Sequence, residues 1–298
     1  EAGFPPGVVN LVQGRGEVAG AALVDHPGVD LISFTGSSDV GALVGAACAR
    51  RHANVSLEMG GKNAQIVLAD ADLDLALDGV LWGAFGTTGQ RCTATSRLVL
   101  QDGVHDEFLT RLVDRARSLK LGDGRKDGTD VGPLINGNSL TKVERYVDIG
   151  QAEGADLLTG GQRPSGKGMD NGFFFEPTIF ARVRAGMRVE QEEIFGPVLS
   201  VIPAADEADA VRIANETIYG LNSAVFTADV ERARAVAAEI RAGTVGHNGF
   251  KSDSNIGFGG FKQSGIGREG GSQGLLPFLE SKTVLLDEPT ARYADTEF

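Results

Sequence analysis

Short β-rich runs and amphipathic runs alternate from the first residues of this chain. Residues 8–12, 31–35 and 55–57 read as strands, with helical stretches over 17–24 and 38–51 between them. Such alternation commits a chain to a parallel sheet with crossover helices, because parallel neighbours can be joined only by a long return over the sheet face. The pattern continues downstream. An apolar run over 66–68 precedes Asp70-Ala71-Asp72, an N-cap cluster, after which Leu73, Leu77, Val80 and Leu81 recur at helical spacing as far as Gly86. Strands are expected over 97–100, 198–202, 223–226 and 244–245, and helices over 105–119, 139–153, 206–215 and 229–241. The fold class is α/β throughout, without internal repeats. The run 282–286 stands apart as a lone β-branched stretch after a helix, and a strand there needs a partner edge in this chain or in another.

With 298 residues, 42% of them hydrophobic, the chain can bury a sizeable core. Its 42 glycines sit singly or in short clusters, as turns and close backbone approaches do. A net charge of −12 repels nucleic acid and anionic lipid, so neither is expected as a partner. The longest apolar stretches, 42–49 and 80–85, are too short to cross a bilayer, and no charged segment leads into an apolar one. Two cysteines, Cys48 and Cys92, form at most one bridge, which suits a reducing compartment. A cytoplasmic protein without a metal site is expected. The opening Glu1, followed at once by the turn Gly3-Phe4-Pro5-Pro6-Gly7, reads as a cut rather than a start.

Four local patterns carry chemistry. In Gly89-Gln90-Arg91-Cys92-Thr93 the thiol follows a glycine-rich bend, with backbone N–H groups and a cation beside it, conditions that favour thiolate; a buried apolar cysteine is the alternative. Cys48, among alanines on a helix, reads as core. In Leu57-Glu58-Met59-Gly60-Gly61-Lys62-Asn63 a carboxylate ends an apolar strand against two glycines, as either a general base or a turn cap. Phe34-Thr35-Gly36-Ser37-Ser38 is a strand and glycine turn leading into hydroxyls at a helix start, fit for an anion or for an ordinary N-cap. Glu192-Glu193-Ile194-Phe195-Gly196 offers a carboxylate to ribose hydroxyls or to an arginine. Gly14, Gly16 and Gly20 give a glycine loop one residue longer than the dinucleotide fingerprint, open to a phosphate role or to plain turn formation.

In this order and spacing, with 34 residues from Glu58 to Cys92, these patterns resemble the aldehyde dehydrogenase superfamily over nearly the whole chain. Phe4-Pro5-Pro6-Gly7 and Phe258-Gly259-Gly260-Phe261-Lys262-Gln263-Ser264-Gly265 add to the match. The resemblance implies the last part of a Rossmann-like cofactor domain over 1–60, an α/β catalytic domain over 61–263, and a return segment over 264–298 with a terminal oligomerisation strand. It implies oxidation of an aldehyde to a carboxylic acid with NAD or NADP, Cys92 being the nucleophile and Glu58 the group that activates the hydrolytic water. By the same resemblance Gly36 lines the nicotinamide site, Ser37 approaches the cofactor phosphate, and Glu193 with Phe195 holds the nicotinamide ribose and ring. Phe258 lines the aldehyde tunnel. Arg91 beside the nucleophile resembles semialdehyde-type branches, its guanidinium being open to pairing with a substrate carboxylate or equally to a fold-stabilising ion pair. The oxyanion asparagine of the family lies upstream of Glu1. The chain is therefore also readable as a non-catalytic fragment. Val245-Gly246-His247-Asn248 departs from the family, many members of which carry an aromatic ahead of the asparagine. A homodimer or homotetramer is expected.

Overall fold

A computed structural model describes residues 3–166, 168–251 and 253–286. In chain order the elements are α1 (Ala21–Asp25), β1 (Leu31–Thr35), α2 (Ser38–Ala49), β2 (Asn54–Glu58), β3 (Asn63–Val67), α3 (Leu73–Phe85), β4 (Thr95–Gln101), α4 (His105–Ser118) and α5 (Gly137–Ala152). They continue as β5 (Asp156–Thr159), β6 (Thr178–Ala181), α6 (Arg188–Gln191), β7 (Val198–Ala204), α7 (Glu207–Asn215), β8 (Asn222–Phe226), α8 (Val230–Glu239), β9 (Thr244–His247) and β10 (Gly265–Ile266). The class is α/β with largely parallel sheets, as the alternating sequence pattern requires.

Seven strands form the main sheet in the order β5-β6-β7-β4-β3-β8-β9, parallel except for β5 against β6. Every residue of β3 and of β8 is buried, because helices cover both faces. Alternate side chains feed two cores. Ile66, Val99, Ile202 and Val225 pack on one face against α5, α7 and α8. Val67, Leu98, Leu100 and Phe226 pack on the other against α3 and α4. A smaller sheet, β1-β2-β10, has β2 in its centre and its own apolar cluster of Val44, Cys48, Leu57 and Met59. Cys48, fully buried there, is core as its sequence context suggests.

Two polar networks fix how the elements meet. Buried Arg97 on β4 donates to the Lys62 carbonyl, to Glu190 Oε1 at 3.0 Å, and to the Ile213 and Ala214 carbonyls at the end of α7. Asp70, after β3, accepts from Thr227 and from the Arg232 guanidinium of α8.

Three expectations need correction. No strand forms over 8–12, where Val8, Val9, Leu11 and Val12 are exposed; an apolar run becomes a strand only where a sheet edge pairs with it, and no described edge does so. The helix expected over 17–24 is a π-helical turn, Gly16–Gly20, continued by the short α1. Residues 282–286, expected as a strand, form none and are exposed, with no partner strand among the described residues. Residues 287–298 lie outside the described part.

Candidate active site

The chain passes from the small sheet to the large one between Glu58 and Asn63, and that crossing builds one wall of a cleft of about 700 Å³. Thr35, Gly36 and Ser37 line it from the end of β1 and the start of α2, Met59 and Gly60 from the crossing, and Arg91, Cys92 and Thr93 from the loop before β4. Glu193, Ile194 and Phe195 close it from beyond α6, with Phe250 and Phe258 at the other end.

The nucleophile loop is shaped by backbone that leaves α3 abruptly. Thr87, Thr88 and Gly89 all take positive φ, at 53°, 60° and 68°, so the chain reverses within three residues. Thr88 Oγ1 donates to the Gly132 carbonyl at 3.0 Å, and the Gln90 side chain accepts from the Ile135 N–H at 2.8 Å, tying the loop to the segment ahead of α5. Cys92 is half-buried on the cleft wall and unpaired. Burial, then Glu193, then Glu58 push its thiol above the ordinary range, while the N–H groups of Thr93 and of Cys92 itself act in the opposite direction.

Glu58 ends the central strand of the small sheet, flanked by Thr35 on β1 and Gly265 on β10. It is 3% exposed, and neither carboxyl oxygen has a hydrogen-bond partner among the described residues. Burial and the nearby Glu269 carboxylate raise it to about 8, against the pull of Arg268. A Cβ at position 259 would lie 2.6 Å from Glu58 Oε1, so glycine there makes room for the carboxyl group. A buried acid kept protonated near neutrality and left free to bond is suited to proton transfer.

Glu193 folds over the paired glycines. Its Oε1 accepts the Gly61 N–H at 3.0 Å, and a Cβ at position 60 would fall 2.3 Å from Oε2, so only glycine admits the carboxylate here. Burial raises it, offset by the Gly61 N–H and by Lys142 and Lys62. Ser37 caps α2, its hydroxyl accepting the Val40 N–H at 3.3 Å, and the start of this twelve-residue helix faces the cleft beside Gly36. Helix starts favour anions.

The model of the aldehyde dehydrogenase family matches residues 1–284. The chain belongs to the aldehyde dehydrogenase family. It is 48% identical over 285 residues to the betaine aldehyde dehydrogenase of Bacillus subtilis strain 168, covering 95% of this chain and 58% of that protein. A Brucella melitensis betaine aldehyde dehydrogenase is 43% identical, with 96% and 59% covered. Among solved structures, the Staphylococcus aureus betaine aldehyde dehydrogenase in complex with NAD+ superposes with a TM-score of 0.94 at 40% identity, over 99% of this chain and 59% of that one. The chain thus spans less than two thirds of the length of the family members it matches.

Of the residues singled out from sequence, Cys92, Gly36, Ser37, Glu193, Phe195, Arg91 and Phe258 all line this family member's cleft, and Glu58 lies behind it within electrostatic reach of Cys92. Gly14 is not among the residues lining the cleft; it precedes the short turn at 16–20, and no strand stands before it among the described residues. Arg91 lines the cleft and is held from behind through one nitrogen of its guanidinium. Its Nη2 meets the Trp82 and Gly83 carbonyls at 3.0 and 3.2 Å, and the guanidinium stacks 3.9 Å from the centre of the Trp82 ring, which itself stacks on Phe250. Sequence reasoning missed Ser139 and Lys142, which face the cleft from α5; their three-residue spacing on one helix face was the available signal. It also missed Lys62 and Asn63. Lys62 is fully buried, donates to the Glu192 carbonyl at 2.7 Å, and is drawn down to about 7 by burial and by Arg97.

Proposed function

We propose that this chain forms most of the catalytic site of an aldehyde dehydrogenase that oxidises an aldehyde to a carboxylic acid through a thioester on Cys92. The observation that carries this reading is the conjunction of a half-buried thiol on a cleft wall and an unpartnered acid, Glu58, close enough to perturb it. Cys92 attacks the aldehyde carbon, forming a C–S bond and a tetrahedral oxyanion, which its own N–H helps to hold. A bound nicotinamide supplies the acceptor for the hydride that leaves that carbon. Glu58, once ionised, takes a proton from water; the hydroxide formed adds to the thioester carbonyl, and the C–S bond breaks to release the acid and return the thiolate.

The cleft suits a dinucleotide. Gly36 and Ser37 would hold an anionic group at the start of α2, Glu193 Oε2 is free of backbone hydrogen bonds and suits a ribose hydroxyl, and Phe195 is an exposed ring beside it. NAD is favoured over NADP by the solved relatives, which are described as NAD+ complexes. A neutral aldehyde is favoured over a semialdehyde, because Arg91 Nη2 is held by the Trp82 and Gly83 carbonyls and the guanidinium lies over the Trp82 ring. We further propose a cytoplasmic homodimer or homotetramer in which 282–286 pairs with a partner's sheet, on the strength of its exposed, unpaired apolar side chains. Among the described residues no helix is long and apolar enough to cross a membrane.

The test is an assay of the family-length protein with aliphatic, aromatic, quaternary-ammonium and carboxylate-bearing aldehydes, each with NAD+ and NADP+. Aldehyde-dependent cofactor reduction that disappears in Cys92→Ala supports the proposal; reduction that survives in Cys92→Ala rejects it.

A further inference from the structure

Asn63 opens β3 and is 3% exposed, yet its side chain does more than complete the sheet. Its Nδ2 donates to the Cys92 carbonyl at 2.7 Å and to the Ala94 carbonyl at 2.8 Å, and its Oδ1 accepts the Asn222 N–H at 3.0 Å. Both donor hydrogens are therefore used on the nucleophile loop, and the acceptor anchors the amide to β8. The ladder between β3 and β4 is interrupted here. Asn63 pairs with Thr95 but Ala64 with Arg97, so one residue of β4 is skipped and the side-chain amide bonds the loop where backbone groups do not.

The consequence lies in the geometry of a peptide. The C=O and N–H of a trans peptide unit point in opposite directions. Holding the Cys92 carbonyl down against β3 therefore turns the N–H of the same unit, that of Thr93, the other way, and Thr93 lines the cleft beside Cys92. We propose that Asn63 is a positioning residue for the nucleophile, fixing the Cys92–Thr93 peptide so that the Thr93 N–H faces the sulfur and stabilises it as thiolate. This rests on the reading of Cys92 as the attacking thiol, and it assigns the residue that prepares it. The charged groups around the sulfur are Glu58 at the end of β2, Glu193 beyond α6 and Arg91 next to it in sequence. Glu193, and Glu58 once ionised, disfavour thiolate, and a fixed backbone donor acts against them.

The experiment measures iodoacetamide alkylation of Cys92 against pH in the family-length protein, read by peptide mass, in the wild type, Asn63→Ala and Asn63→Ser. Cys48, buried in the small core, does not compete. In Asn63→Ala the midpoint should move to higher pH by about one unit, which at pH 7.5 is about a tenfold slower reaction. Asn63→Ser, which keeps one donor, should shift less, and the KM for cofactor should be unchanged in both because Asn63 does not line the cleft. A midpoint identical to wild type in the folded variants, a uniform slowing at every pH, or failure of both variants to fold would each overturn the proposal, the last by making Asn63 a structural residue alone. Persistent aldehyde oxidation in Cys92→Ala would instead remove the catalytic reading while leaving this profile to stand.

Discussion

A carboxyl group that keeps its proton to about pH 8 ties both stability and rate to pH. In the unfolded chain Glu58 ionises near its ordinary value of 4.5, whereas in the fold it does so near 8. Between these values the unfolded state binds fewer protons, so stability falls as pH rises, and the penalty is complete above about 8. Glu58→Gln removes that dependence. Calorimetry should find the variant and wild type melting together near pH 4, with the variant gaining steadily as pH rises to 8.5; a difference that does not change with pH contradicts the assignment. Hydrolysis needs the ionised acid, so turnover should rise with pH around a midpoint near 8 and fall by at least about 100-fold in Glu58→Gln. Local context left Glu58 and Cys92 open to structural readings, and it was their order and 34-residue spacing, matching a known family, that singled them out. Asn63 was not singled out, because its partners are carbonyls 29 and 31 residues away, and no local pattern announces such a meeting.

At the scale of elements, the end of α3 and the meeting of β4 with α7 depend on two arginines. Arg91→Ala removes the two hydrogen bonds to the last turn of α3 and the stacking on Trp82, at a cost of about 1–3 kcal/mol in denaturant unfolding. Its effect on carboxylate-bearing and neutral aldehydes should be the same; a selective loss for the former would restore the anchoring role. Removing Glu190 strands the Arg97 guanidinium in the core, so Glu190→Ala should cost about 3–5 kcal/mol by the same measurement. Helices with a clear apolar stripe, α4 and α5 among them, were readable within a residue or two at each end. The four-residue strands β5 and β6 and the two-residue β10 were not, since so short a run carries no period and is made a strand by its neighbours.

At the scale of the molecule, exposed apolar side chains come close together in sequence near both ends of the described residues: Val8, Val9, Leu11 and Val12 at one, and Leu275, Leu276, Val284, Leu285 and Leu286 at the other. Surfaces of this kind mark contacts with other polypeptide. If 282–286 is an exchanged arm, Leu285→Asp should shift the family-length protein toward monomer in analytical ultracentrifugation without changing Cys92 alkylation; an unchanged sedimentation coefficient contradicts that role. The α/β architecture followed from the alternation of elements, whereas the strand expected over 282–286 is not formed among the described residues, because an apolar run becomes a strand only where an edge pairs with it.

Cys92 carries the acyl group and Glu58 releases it in the proposed reaction, and mass spectrometry tests both together. The family-length Glu58→Gln protein, mixed with aldehyde and cofactor and quenched in acid, should gain the mass of one acyl group on the peptide containing Cys92, while the wild type, able to hydrolyse it, should show little. An adduct on any other residue, or none on Cys92 while cofactor is reduced, would contradict the account.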